Sequence, residues 1–136
     1  MVFNNAQEAF ESYYDIGTRA YIPTSALNFN GNNETITGLT IGSVSNTLQI
    51  NLDTNLTVKG PISIYGSTID LTGSNISTSG GGNILFEGTT ITGSSIIDAD
   101  SNSVTFDQTG SSTFSGVISG TGTALIKSGT GSLTIS

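Results

Sequence analysis

Leu48-Gln49-Ile50-Asn51-Leu52, Leu56-Thr57-Val58, Ile62-Ser63-Ile64 and Ile69-Asp70-Leu71 follow one another with only a few residues between them. In each fragment apolar side chains alternate with Ser, Thr, Asn, Gln or Asp, the period of a strand with one buried face. The same pattern returns in Val104-Thr105-Phe106 and Leu133-Thr134-Ile135, and breaks at Gly66, Gly73, Gly88, Gly93 and Gly110 separate the fragments. Strand centres recur every 7–8 residues, and every third one aligns. One track runs Leu48, Ile69, Ile91, Phe114, Ile135; a second Leu56, Ile76, Ile97, Ile118; a third Ile62, Ile84, Val104, Leu125.

A period near 21 residues with three short strands in each repeat predicts a parallel β-helix. One coil cannot bury its apolar face alone, so stacking has to supply both the core and the backbone pairing. Residues 48–136 then make about four coils, roughly 20 Å long at about 4.8 Å per coil. The competing architecture is an antiparallel sandwich or jelly roll, which also has short, evenly spaced strands. Tight hairpins favour Asn-Gly or Asp-Gly, and the chain offers only Asn30-Gly31, ahead of the regular region.

The composition agrees with an all-β chain. Apolar residues are 35% of the 136 and charged residues 10%, so the polar remainder is Ser, Thr, Asn and Gly rather than the charge that marks disorder. Thr and Ile suit a pleated surface, while Gly and Asn suit tight turns. The net charge is −7, with Arg19, Lys59 and Lys127 as the cations. Nucleic acid and anionic membranes demand clustered Lys and Arg, so neither is expected as a partner. No apolar run approaches the ~20 residues that span a bilayer, and the N-terminus lacks the basic start and apolar stretch of a signal peptide.

Residues 1–35 read as a separate cap or docking segment and 36–136 as the solenoid. Residues 1–22 hold Glu8, Glu11, Asp15, the only arginine and three of the four tyrosines. Asn5 and Glu8 stand at the N-cap and N3 positions of a capping box. A short helix over 6–14 would gather Ala9, Phe10, Tyr13 and Tyr14 on one face. Such a helix is marginal alone, and docks over the first rung or onto a neighbouring subunit.

The C-terminal stretch has the most specific pattern. Phe114, Gly116, Ile118, Gly120 and Gly122 alternate with small polar residues, then Leu125, Lys127, Gly129, Gly131, Leu133 and Ile135 do the same. Residues 112–136 resemble the passenger-associated repeat of bacterial autotransporters, F-x-G-x-I-x-G-x-G-x-L-x-K-x-G-x-G-x-L-x-L. They depart from it by one extra residue between Gly122 and Leu125 and by Ile135 in place of Leu. Residues 60–110 resemble more loosely the repeats of filamentous-haemagglutinin-like exoproteins. The resemblance implies a right-handed β-helix in a secreted or surface-displayed protein, and implies no particular ligand.

Chemistry is sparse. Histidine and cysteine are absent, which removes the common nucleophile–base pairs and thiolate zinc sites. Asp53, Asp70, Glu87 and Asp107 lie between inward residues and are expected to be outward and solvated rather than a catalytic acid pair. No enzymatic activity is therefore expected. Asp98-Ala99-Asp100-Ser101-Asn102 has the D-x-D-x-N opening of a calcium loop, but Ser103 and Thr109 stand where its Gly and Glu belong. Calcium at Asp98, Asp100 and Asn102 is the one cofactor suggested, against an acidic solvated turn. Asn33, Asn55 and Asn75 open glycosylation sequons, with stacking in polar ladders as the alternative use.

The function expected is a non-catalytic structural or adhesion module of a bacterial surface or secreted protein, exposed to a host or neighbouring cell. A solenoid presents unpaired backbone groups at its ends. Self-association through Phe10, Tyr13, Tyr14, Leu133 and Ile135 is expected, and the alternative is a subunit of a self-assembling extracellular filament or sheath.

Overall fold

The computed structural model describes residues 38–53 and 55–136. Twelve strands follow one another there: β1 Leu39–Ile41, β2 Gln49–Asn51, β3 Leu56–Val58, β4 Ile62–Asp70, β5 Ile76–Thr78, β6 Ile84–Thr92, β7 Ile96–Asp98, β8 Ser103–Gln108, β9 Ser112–Phe114, β10 Val117–Ser119, β11 Ala124–Ser128 and β12 Leu133–Ile135. Every pairing is parallel, and each strand pairs with its equivalent one turn away. The chain is a β-solenoid of about five turns. The antiparallel sandwich is thereby excluded. The proposed cap at residues 1–35 lies outside the described residues.

Two of the expected columns stack as predicted. Leu56, Ile76, Ile97 and Ile118 are successive register partners, as are Ile62, Ile84, Val104 and Leu125, with Leu39 added below. The column that begins at Leu48 is corrected by two residues in two places. Ile69 pairs with Ile50, not Leu48. Ile91 pairs level with Ser112, whose hydroxyl takes the Ile91 N–H at 2.8 Å, while Phe114 lies level with Gly93 and Ile135. The alternation of Leu48, Ile50 and Leu52 cannot set its own phase, and a buried serine disguises Ser112 as an outward position. In the second and third turns two of the three expected strands also fuse into the nine-residue β4 and β6.

The interior is a set of columns filled by Ile, Leu, Val and Phe. Ile41, Ile64, Phe86 and Phe106 stack in register and are fully buried. Phe86, Phe106 and Phe114 form a run of tilted rings with centroids 5.4 and 5.3 Å apart, the offset geometry that aromatic quadrupoles favour. The Phe86 and Phe106 rings meet across adjacent turns, so these two turns share one core. The fold is a one-dimensional stack held by nearest-neighbour interfaces.

Polar columns run through the stack as well. Ser74 and Ser95 are buried at a corner, their hydroxyls 3.4 Å apart, and both donate to the carbonyl of Leu71. The next member of that column is Gly116. A methyl group there would run into the carbonyl of Ser95 and the ring of Phe114.

Candidate functional site

Three regions of the surface bring together what the sequence singled out. The first is the turn after β7. Asp98 Oδ1 accepts the backbone N–H of Asp100 at 2.9 Å. The Asn102 amide donates to the carbonyls of Ala99 and Asp100 at 3.1 and 2.9 Å. Asp100 and Ser101 both sit at positive φ, 43° and 71°. This conformation is costly for residues other than Gly and is more readily tolerated by Asp and Asn. The three candidate calcium ligands thus share one turn, and two of their side chains brace its backbone: the Asn102 amide donates to the carbonyls, and Asp98 Oδ1 accepts a backbone N–H. Among the described residues no three acidic, His or Cys side chains gather around a common point.

The second region is the column of asparagines. Asn55 Oδ1 accepts the backbone N–H of Asn75 at 2.9 Å, and Asn75 Oδ1 accepts that of Ile96 at 3.2 Å. The side chains form an axial ladder, but amide to backbone rather than amide to amide. Asn83 repeats the device, accepting from the backbone and hydroxyl of Ser103 at 3.1 and 2.9 Å. Asn33 lies outside the described residues.

The third region is the last turn. β10, β11 and β12 are the outer strands of their sheets. Val117, Leu125, Ile126 and Ile135 are about half exposed, and Leu133 is half-buried. In the turns below, the positions level with Leu125 and Leu133 are fully buried apart from Ser112 (Val104, Ile84; Ile91, Ile69). Leu133 and Ile135 therefore belong to an axial apolar surface. Phe10, Tyr13 and Tyr14 lie outside the described residues.

One member of this surface escaped the sequence reading. Lys127 pairs level with Phe106, so it occupies the inward column of Ile41, Ile64, Phe86 and Phe106. Its ammonium turns back to the carbonyls of Ser128 and Gly129. The alternation Leu125-Ile126-Lys127 carried the signal, since it repeats Val104-Thr105-Phe106 one period later. Gln108 was missed for the same reason. It continues the inward series Val104, Phe106 and is fully buried, donating to the Ser132 carbonyl at 2.8 Å while its Oε1 has no partner.

The acids are outward. Glu87 and Asp107 are register partners on adjacent turns and line a groove of about 300 Å³ with Thr47, Ser67, Thr89 and Thr109. Asp107 accepts from Ser128 at 3.2 Å, and Asp70 from the Thr72 backbone at 2.9 Å. Asp53 is exposed. Among the described residues, Asp107 and Asp70 are met by a hydroxyl and a backbone amide. No helix in the described residues is long and apolar enough to cross a membrane.

Searches against protein-family models, curated proteins and solved structures match nothing.

Proposed function

We propose that the chain is a non-catalytic structural module whose last turn accepts a further rung, and that it serves in a bacterial surface or secreted protein of adhesive or scaffolding type. The observation that carries this reading is the apolar upper surface made by Leu125, Leu133, Ile135 and the half-buried Ile118, bounded by the outer edges of β10, β11 and β12. A parallel edge with an apolar interior beside it is a template for one more parallel rung. That rung comes from the same polypeptide or from a second copy, and a second copy added head to tail propagates as a filament. The autotransporter-like pattern in residues 112–136, which runs into this last turn, supports display outside the cell.

Sedimentation velocity over a range of concentrations tests the reading. Association that grows with concentration, and that is lost in the double variant Leu125→Lys/Ile135→Lys while the far-ultraviolet β signal persists, is the expected result. A monomer at every concentration, or association indifferent to the double variant, contradicts self-association. Surface display is tested separately by protease accessibility of the chain on intact cells of its source.

A further inference from the structure

The two ends of the stack are unequal. At the upper end the inward Leu125 and Ile135 are 46% and 48% exposed, and Ile118 and Leu133 are half-buried. At the lower end the inward side chains of the first turn, Ile41, Ile50, Leu52, Leu56 and Val58, are 0–2% exposed, and Leu39 is half-buried. A copy added head to tail would lay an exposed apolar rim on an end that shows little of one. The upper rim matches itself better. Its three sides are β11, β12 and β10, each the outermost strand of its sheet. The chain climbs about 4.8 Å per turn, so the rim rises from β10 through β11 to β12 and drops one strand spacing at the corner between β12 and β10. A two-fold axis through the middle of β11 and that corner reverses β11 onto itself and exchanges β12 with β10. The high side of each ramp then faces the low side of the other, and all three sides meet at one strand spacing. The exchanged strands are of equal length, three residues each in Val117–Ser119 and Leu133–Ile135.

We propose that two copies of the chain join tip to tip about this axis into a closed dimer. The dimer presupposes that the last turn is a mating surface, as proposed above, and its occupant is a second copy in inverted orientation. Reversed strands pair antiparallel, the slightly more stable ladder, and the open N–H and C=O groups of the two rims satisfy one another. Centring β11 on its middle residue sets Ile126 opposite the partner's Ile126. This pairing gives a cross-strand aliphatic contact to an outward isoleucine that is 44% exposed in the single chain. On the inward face Leu125 comes opposite the partner's Lys127. A lysine stem can cover an apolar side chain while its ammonium stays at the rim, where Lys127 already donates to the carbonyls of Ser128 and Gly129. A coil of about 21 residues at about 3.3 Å each has a perimeter of roughly 70 Å and an end face of roughly 600 Å², so the pair buries about 1,200 Å², the lower bound for a standard specific interface. Both lower ends point away from the contact, so the assembly closes at two copies.

Sedimentation equilibrium of the full chain, with thiol cross-linking, tests the arrangement. A mass that rises with concentration and levels at two copies is expected. Under mild oxidation Ile126→Cys sets two thiols across the axis within disulfide reach. It is expected to give a covalent dimer on the order of tenfold faster than Thr105→Cys, one turn below in the same column, because pairing raises the local thiol concentration. Head to tail, Ile126 would instead lie above Thr40, the lowest member of that column. Thr40→Cys/Ile126→Cys is therefore expected to yield the same dimer and no ladder in the same time. A mass that grows past two copies, or a ladder of higher species from the double variant, overturns the tip-to-tip dimer while leaving the last turn as a mating surface. A dimer that cross-links equally fast through residues 126 and 105 has its contact elsewhere and also overturns it. A monomer at every concentration overturns both the dimer and the mating surface.

Discussion

Gly116 shows how much of the repeat pattern is geometry. It stands two residues after Phe114 because the phenyl ring turns inward and lies where a Cβ on residue 116 would be, with the Ser95 carbonyl pressing from the turn below. Both obstacles are part of the packed stack, and one is backbone. Gly116→Ala is expected to cost about 3 kcal/mol, the upper end for forced overpacking, seen as a lowered denaturation midpoint at unchanged m. Phe106 acts in the opposite sense. Its ring touches those of Phe86 and Phe114 and is fully buried. Phe106→Ala opens a cavity between two turns, and a loss of about 4 kcal/mol is expected in the same measurement. Gln108 marks where side-chain pattern failed as a guide. A polar residue on a strand reads as outward, yet the strand's alternation puts it inside, where its side-chain amide donates one hydrogen bond to the Ser132 carbonyl.

At the scale of strands, the legible part was the spacing between apolar fragments. Turns of nearly constant length set the register of the columns through Leu56 and Ile62, and the structure stacks them as read. The column through Ile69 was misread because period-2 alternation is unchanged by a shift of two residues. Only a hydrogen bond of Ser112 and the absence of a side chain at Gly93 distinguish the true phase. The calcium candidate illustrates a similar gap: spacing placed Asp98, Asp100 and Asn102 in one turn, but not which atoms would be free. The Asp98 and Asn102 side chains brace the turn without a metal, so excess EDTA is expected to leave the melting temperature unchanged, and a drop would establish a metal site there. The strand β11 carries the sharper consequence. Natural edges are blunted by inward-pointing charge, and Lys127 is such a charge in the column above Phe106. Lys127→Leu completes the apolar surface and is expected to strengthen concentration-dependent association in sedimentation velocity. Unchanged or weaker association would remove the last turn as the mating surface.

For the molecule as a whole, one repeated length sets fold, stability and surface together. Each turn is stable only through its neighbours, so a single stacking rule produces the buried columns, the Asn and Ser ladders and the apolar last turn. Function was less legible than fold because the proposed reading rests on surfaces, which a linear sequence does not lay side by side. The outward Ser and Thr residues look like ordinary solenoid filler in the sequence. Their two-dimensional order emerges only when residues 21 apart are laid side by side, as Thr113 and Thr134 are. The same order makes the register the central claim, and a chain free of cysteine allows a direct test. Thr57 and Ser77 are register partners with hydroxyls 2.8 Å apart, and parallel neighbours about 4.8 Å apart are within the Cα separation that a disulfide spans. Under mild oxidation Thr57→Cys/Ser77→Cys is predicted to form an intramolecular disulfide in high yield, and Thr57→Cys/Ser79→Cys, two residues out of register, is predicted not to. Failure of the first pair, or equal yields from both, would contradict the in-register stack.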